Sequence, residues 1–195
     1  MSEKSQYSFI LASASPRRKQ LLTKVGYKFK IIPPDIDESA FTTEDINACE
    51  YAKKLALAKA KYVAEKYPDS LVIAADTIAD FEGEIIGKPV DKMHAEQITK
   101  KLFSKPHKVI TGIAIIRLCD GTEINKSDTT TVYPKKLTVE QIDEHIKSGS
   151  WRDKAGAYAI QENGDEFIEK IDGSLTNVMG LPMELLEQLL SKFIK

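Results

Sequence analysis

The sequence predicts an α/β fold built on a mixed sheet, and three observations lead there. Apolar runs of strand length alternate with segments of helical period that carry their own caps. Two glycine turns, Glu82-Gly83 and Asp120-Gly121, each stand between strand-like runs, so part of the sheet is antiparallel. Residues 71–75, Leu-Val-Ile-Ala-Ala, are apolar without interruption, as a central strand buried on both faces requires.

Taken in order, residues 8–12 read as a buried strand that feeds Ser13-Ala14-Ser15-Pro16-Arg17-Arg18. Ser15 is a natural N-cap, and Pro16 fits the first helical position, where its missing N–H costs nothing. Gly26 stands where the helix should stop. Residues 28–32 form a short strand ended by Pro33-Pro34, and Asp35-Ile36-Asp37-Glu38-Ser39 is an acidic loop. A long helix is expected over residues 44–67, capped by Thr43 and stopped before Pro68. The strand at 71–75 follows, with Asp76 and Thr77 placed just beyond its end. Residues 78–81 and 84–86 make the first hairpin. Asp91 caps a helix running to about Phe103. Residues 107–118 and 123–133 make a longer hairpin, and Thr138 with Gln141 forms a capping box for a helix ending near Gly149. Residues 154–161 are too rich in small side chains to assign to helix or strand. Residues 166–171 read as a strand, and Pro182 opens a last amphipathic helix. With no repeat, low-complexity linker or compositional break, residues 1–195 read as one domain.

Composition narrows the function. The 195 residues are 42% hydrophobic and 29% charged, with a net charge of −1. That lacks the basic field a nucleic-acid backbone needs. No apolar stretch reaches membrane-spanning length, and residues 1–7 are polar, so neither a membrane partner nor a secretory signal is expected. Cys49 and Cys119 lack metal-ligand spacing and fit a reduced, cytoplasmic protein.

The residues that carry chemistry are cations and carboxylates. Two arginines in the first turn of a helix oppose its dipole unless an anion is present. With serine hydroxyls and free N–H groups beside them, they read either as a phosphate site or as an ordinary solvated pair on a helix face. Asp76 stands at a strand end, where open α/β sheets place their ligands. Glu38 in the acidic loop, with Asp37 beside it, offers a second carboxylate, and such a pair beside phosphates suits Mg²⁺ or Mn²⁺. Lys88, between Gly87 and Pro89, is held by a stiff turn and can reach a phosphate. Lys59 lies among small apolar residues and either snorkels out or points into the site. Gln161 offers a donor and an acceptor that suit a nucleobase edge, or simply begins a surface loop. His107, alone on a strand, is expected to be structural. Walker-type and dinucleotide glycine loops are absent. The set fits metal-assisted attack of water on a polyphosphate better than kinase chemistry or hydride transfer.

The ordered segments LASASPRRKQLL, IDES, LALAKA, AADTI, GKPVD, HKVITGIAI, KAGAYAIQ and IDGSLTNVMGLPMELL resemble the Maf family over nearly the whole chain. The resemblance implies a Maf/ITPase-like fold with an elongated, twisted mixed sheet flanked by helices and a cleft between two lobes. It implies a nucleoside triphosphate pyrophosphatase that releases monophosphate and pyrophosphate with a divalent cation, and a homodimer. Asp76 matches the family's general base. Ser13, Arg17, Arg18, Lys59 and Lys88 match positions that contact phosphates, and Glu38 matches a carboxylate that holds metal with Asp76. Arg17, Thr77 and Gln161 match the branch acting on dTTP and UTP. The alternatives are a pyrophosphatase for 7-methyl-GTP or another modified purine, and a non-enzymatic nucleotide-binding regulator of cell division. Glu162, where a glycine is common, and Ser104-Lys105-Pro106, where a Ser-Gly turn is usual, depart from the family pattern.

Overall fold

A computed structural model describes residues 8–152, 154–158, 160 and 167–193. In chain order the elements are β1 (Phe9–Leu11), α1 (Pro16–Val25), β2 (Phe29–Ile31), α2 (Ala48–Ala64), β3 (Val72–Phe81), β4 (Glu84–Ile86) and α3 (Lys92–Leu102). They continue with β5 (His107–Arg117), β6 (Thr122–Pro134), α4 (Val139–Ser148), β7 (Ile168–Asp172), α5 (Leu175–Val178) and α6 (Met183–Leu190). Among the described residues one sheet of seven strands runs β2-β1-β3-β5-β6-β7, with β4 also paired to β3. The β1–β2 and β1–β3 pairs are parallel and the rest antiparallel, so the sheet is mixed as expected. No helix among the described residues is long and apolar enough to cross a membrane.

Local signals account for most boundaries. The Ser15 side chain accepts from the Arg18 N–H at the start of α1, and Gly26 closes it at φ 88°. Asp91 accepts from His94 N at 2.7 Å to start α3. Thr138 and Gln141 form the reciprocal box at α4, which Gly149 ends at φ 73°. Glu82 and Gly83 both have positive φ (53° and 91°), as a tight turn matching the strand twist requires.

Three elements differ from expectation. Helix α2 starts at Ala48, not Glu44, and ends at Ala64, short of Tyr67. Its cap is Asn47, whose side chain accepts from Glu50 N at 3.0 Å, while Asp45 at φ 55° keeps the preceding residues out of the helix. The short α5, capped by Ser174, was not foreseen. Most important, residues 71–75 and 78–81 belong to one strand. Asp76 and Thr77 lie inside β3, paired with Gly112 and Thr111 of β5. A charge interrupts an apolar run but not a backbone ladder, so the strand continues.

What ends near Asp76 is the neighbouring strand. The last β1–β3 pair is Leu11 with Ile73, and β4 joins the same side of β3 only at Ala79. No described strand flanks residues 74–78 there, which leaves a notch in the sheet. On one side of the notch the core has two layers. Ile73 and Ala75 pack with Leu22, Leu181 and Leu186, while Val72 and Ala74 pack on the other face with Ala56, Ala60 and Val63 of α2. Beyond the notch a separate core joins Phe81, Ile86, Leu102, Ile146 and Trp151. The cleft between lobes is thus the gap in one shared sheet.

Gly112 sets the distance between α2 and the sheet. A Cβ there would stand 2.4 Å from the Ala52 carbonyl oxygen, so the helix backbone lies directly on β5 opposite Asp76. Gly112→Ala is expected to push α2 outward and to lower stability by about 1–3 kcal/mol. Urea denaturation of both proteins measures this.

Candidate active site

β1 runs into α1 at the notch and delivers Ser13, whose buried hydroxyl accepts from Ser15 N at 3.2 Å and from Arg18 Nη1 at 3.1 Å. Arg18 is 9% exposed. Its Nε donates to the Gly180 carbonyl at 2.7 Å and its Nη2 to Thr77 Oγ1 at 3.2 Å. Burial lowers the Arg18 pKa, and Arg17 adds to the fall, against the pull of Asp76 and Glu38. The guanidinium therefore braces three segments, and only its remaining N–H groups can meet a ligand.

Alternation along β3 sends Asp76 to the opposite face, under α2. There Lys59 Nζ lies 2.5 Å from Asp76 Oδ1 and 2.7 Å from Glu38 Oε1. Of the two readings open for Lys59, the structure has it pointing into the site. Lys88, more exposed, lies 4.0 Å from Glu38 Oε2.

The two carboxylates are pushed apart in acidity. Burial raises the Asp76 pKa, and the attraction of Lys59 and Arg18 does not fully offset it. Glu38 feels burial too, but the hydrogen bond and charge of Lys59, with Lys88 and Arg18, bring its pKa below the ordinary value. Glu38 is thus the fixed anion and Asp76 the better proton acceptor.

Ser13, Arg17, Arg18, Glu38, Lys59, Asp76, Thr77 and Lys88 all line one cavity of roughly 600 Å³. Gln161 lies outside the described residues. Arg152 and Lys154, on the segment after α4, line the same cavity and were given no role from sequence. Lys154 opens the small-residue run, but nothing in the spacing of either marks it. Gly180, on the turn between α5 and α6, was also missed. Its signal is the Gly-Leu-Pro that follows a capped Ser-Leu-Thr-Asn. His107 is structural as expected: it is buried between the Leu102 carbonyl (3.0 Å) and the Tyr158 hydroxyl (2.8 Å), and burial lowers its pKa to about 4.

The donors suit a divalent cation that keeps most of its ligands outside the protein. Among the described residues no three His, Cys, Asp or Glu side chains gather into a cage. Glu38 and Asp76 both contact the Lys59 ammonium, and one or two carboxylates are the share of ligands a protein usually gives Mg²⁺ beside substrate phosphates.

A mixed α/β sheet with a cationic cleft at its notch is the class this geometry defines. The chain matches the Maf-like protein family over residues 8–193 and belongs to it. It is 40% identical over 189 residues to a dTTP/UTP pyrophosphatase of Bdellovibrio bacteriovorus, covering 95% of this chain and 98% of that one. It is 44% identical over 185 residues to a dTTP/UTP pyrophosphatase of Elusimicrobium minutum, covering 94% and 97%. The Staphylococcus aureus Ham1 protein has the same fold, with a TM-score of 0.50 at 16% identity over 94% of this chain and 98% of that one.

Asp76 is expected to titrate above the ordinary aspartate value of about 3.9. In Lys59→Met, which removes its cation, the midpoint should rise further. Carboxyl ¹³C NMR against pH reads both shifts.

Proposed function

We propose that this protein hydrolyses dTTP and UTP to the nucleoside monophosphate and pyrophosphate. The single observation that carries the reading is a buried carboxylate, Asp76, held by Lys59 in a cavity walled by a helix N-terminus and further cations. The names of the relatives give the substrates. The near-zero net charge fits a mononucleotide better than a nucleic acid.

The first turn of α1 and the side chains of Arg17 and Lys88 receive the triphosphate, and Ser13 and Arg18 hold that turn in place. Asp76 takes a proton from a water as its oxygen bonds to the α phosphorus, and the bond from that phosphorus to the bridging oxygen breaks. Pyrophosphate leaves with the electron pair, stabilised by the surrounding cations. Lys59, in contact with Asp76 throughout, balances the charge that Asp76 gains and loses. Glu38 and Asp76 would hold a Mg²⁺ or Mn²⁺ ion, which when bound neutralises phosphate charge. Arg17 and Thr77, together with Gln161, are the residues expected to select the base; the amide of Gln161 can match the donor and acceptor of a uracil or thymine edge.

Hydrolysis in H₂¹⁸O is expected to place the label in the monophosphate and leave the pyrophosphate unlabelled, read by ³¹P NMR. Asp76→Asn should lower kcat by roughly 10²–10⁴-fold. Release of orthophosphate as the first product would overturn the proposal.

A further inference from the structure

Arg152 is an uncommitted cation in the cavity wall. Arg18 spends its donors on Ser13, Thr77 and Gly180, and Lys59 bridges Asp76 and Glu38. Lys88 stands 4.0 Å from Glu38. Arg152 lines the same cavity, yet among the described residues no carboxylate lies within ion-pair distance of its guanidinium. Its Cζ instead lies over the Trp151 ring, 4.8 Å from the centroid. An indole face attracts the charge but offers no oxygen, so the fork that matches phosphate remains available.

The platform under this guanidinium is fixed. Trp151 is 6% exposed, and its Nε1 donates to the Ile146 carbonyl at 3.0 Å. His145 Nε2 donates to the Ala157 carbonyl at 2.8 Å, which ties α4 to the far end of the segment. Gly156 N donates to Gly87 O at 3.1 Å, so the segment and the Lys88 turn form one rim. Gly149 leaves the guanidinium its place, because a Cβ there would collide with Arg152 Nη1.

Position decides what this cation can meet. Asp76, proposed to act at the α phosphorus, is buried in the middle of the sheet, whereas Arg152 is exposed at the rim. An extended nucleotide centred on Asp76 therefore brings one of its ends to Arg152, the base or the outer phosphates. Only the phosphates carry the charge that a guanidinium answers. We infer that Arg152 is a binding residue for the pyrophosphate end of the triphosphate. It stands with Trp151 in the core beyond the notch, while α1 packs in the core before it, so the two lobes grip the phosphate chain from both sides. This assignment rests on the nucleotide reading above and adds to it the residue that holds the leaving group from the second lobe.

The test is calorimetric binding, in Mg²⁺, of α,β-methylene-UTP, inorganic pyrophosphate and UMP. Wild type, Arg152→Gln and Arg152→Lys are compared after their Tm values are measured. Arg152→Gln should weaken the first two ligands about tenfold, the size of a charge-assisted hydrogen bond, and leave UMP within about twofold. Arg152→Lys should recover part of the loss, since it keeps the charge without the fork. Trp151 is the chain's only tryptophan, so its emission in wild type reads the same contact with no substitution at all. It should change with the UTP analogue and with pyrophosphate but not with UMP. UMP binding weakened as much as that of the UTP analogue, or no change for any ligand, would overturn the inference while leaving the reaction proposal standing. Failure of the UTP analogue to bind wild type would bring both down.

Discussion

A buried carboxylate paired with a lysine in the middle of a sheet is the constraint around which the rest of this molecule is arranged. Asp76 sits on the central strand β3, 7% exposed, with backbone neighbours on β5 and helix α2 above it. Burying such a charge alone would cost several kcal/mol. Lys59 at 2.5 Å offsets it, but Lys59 reaches Asp76 only because α2 lies close against β5. That approach in turn depends on Gly112, the residue directly opposite Asp76. The carboxylate, the lysine and the glycine form one unit, and none of the three makes physical sense without the other two.

The two faces of β3 divide the remaining work. Asp76 points to α2, where Lys59 and Glu38 surround it. Thr77 points to the other face, where Arg18 joins it to Ser13 and Gly180. A single step along the strand thus separates the carboxylate beside Lys59 from the hydroxyl that meets Arg18. Both open into the same cavity because β1 ends and β4 has yet to begin on that side of β3. The interruption of the sheet makes the cleft.

Much of this was legible in the residues, and what was not has physical reasons. Caps at Ser15, Asp91 and Thr138 were found because capping is decided within a few residues of the chain. The start of α2 was misplaced because Thr43 and Asn47 are both able caps, and the choice falls to the packing of Ala48 and Ala52 beneath the helix. Asp76 was expected past a strand end because an apolar run stops at the first charge. Nothing local reveals that a lysine 17 residues earlier permits the strand to continue. The arginine pair was read as a phosphate site from the helix dipole. Arg17 and Arg18 do line the cavity, yet Arg18 spends much of its donor capacity on the hydroxyls of Ser13, just past β1, and Thr77, inside β3, and on a distant carbonyl. Gly180, 162 positions away, carries no mark in sequence of that partnership.

That long-range bond bears on how the protein is made. Arg18 precedes Gly180 by 162 positions, so the ribosome makes the guanidinium well before the carbonyl that receives its Nε. Until Gly180 is available, burying the guanidinium leaves a donor unmet, so the N-terminal wall of the cleft has reason to stay open during translation. A nascent chain released before that point would hold most of the sheet and nearly all of the cavity's charged groups, yet lack the brace that joins them.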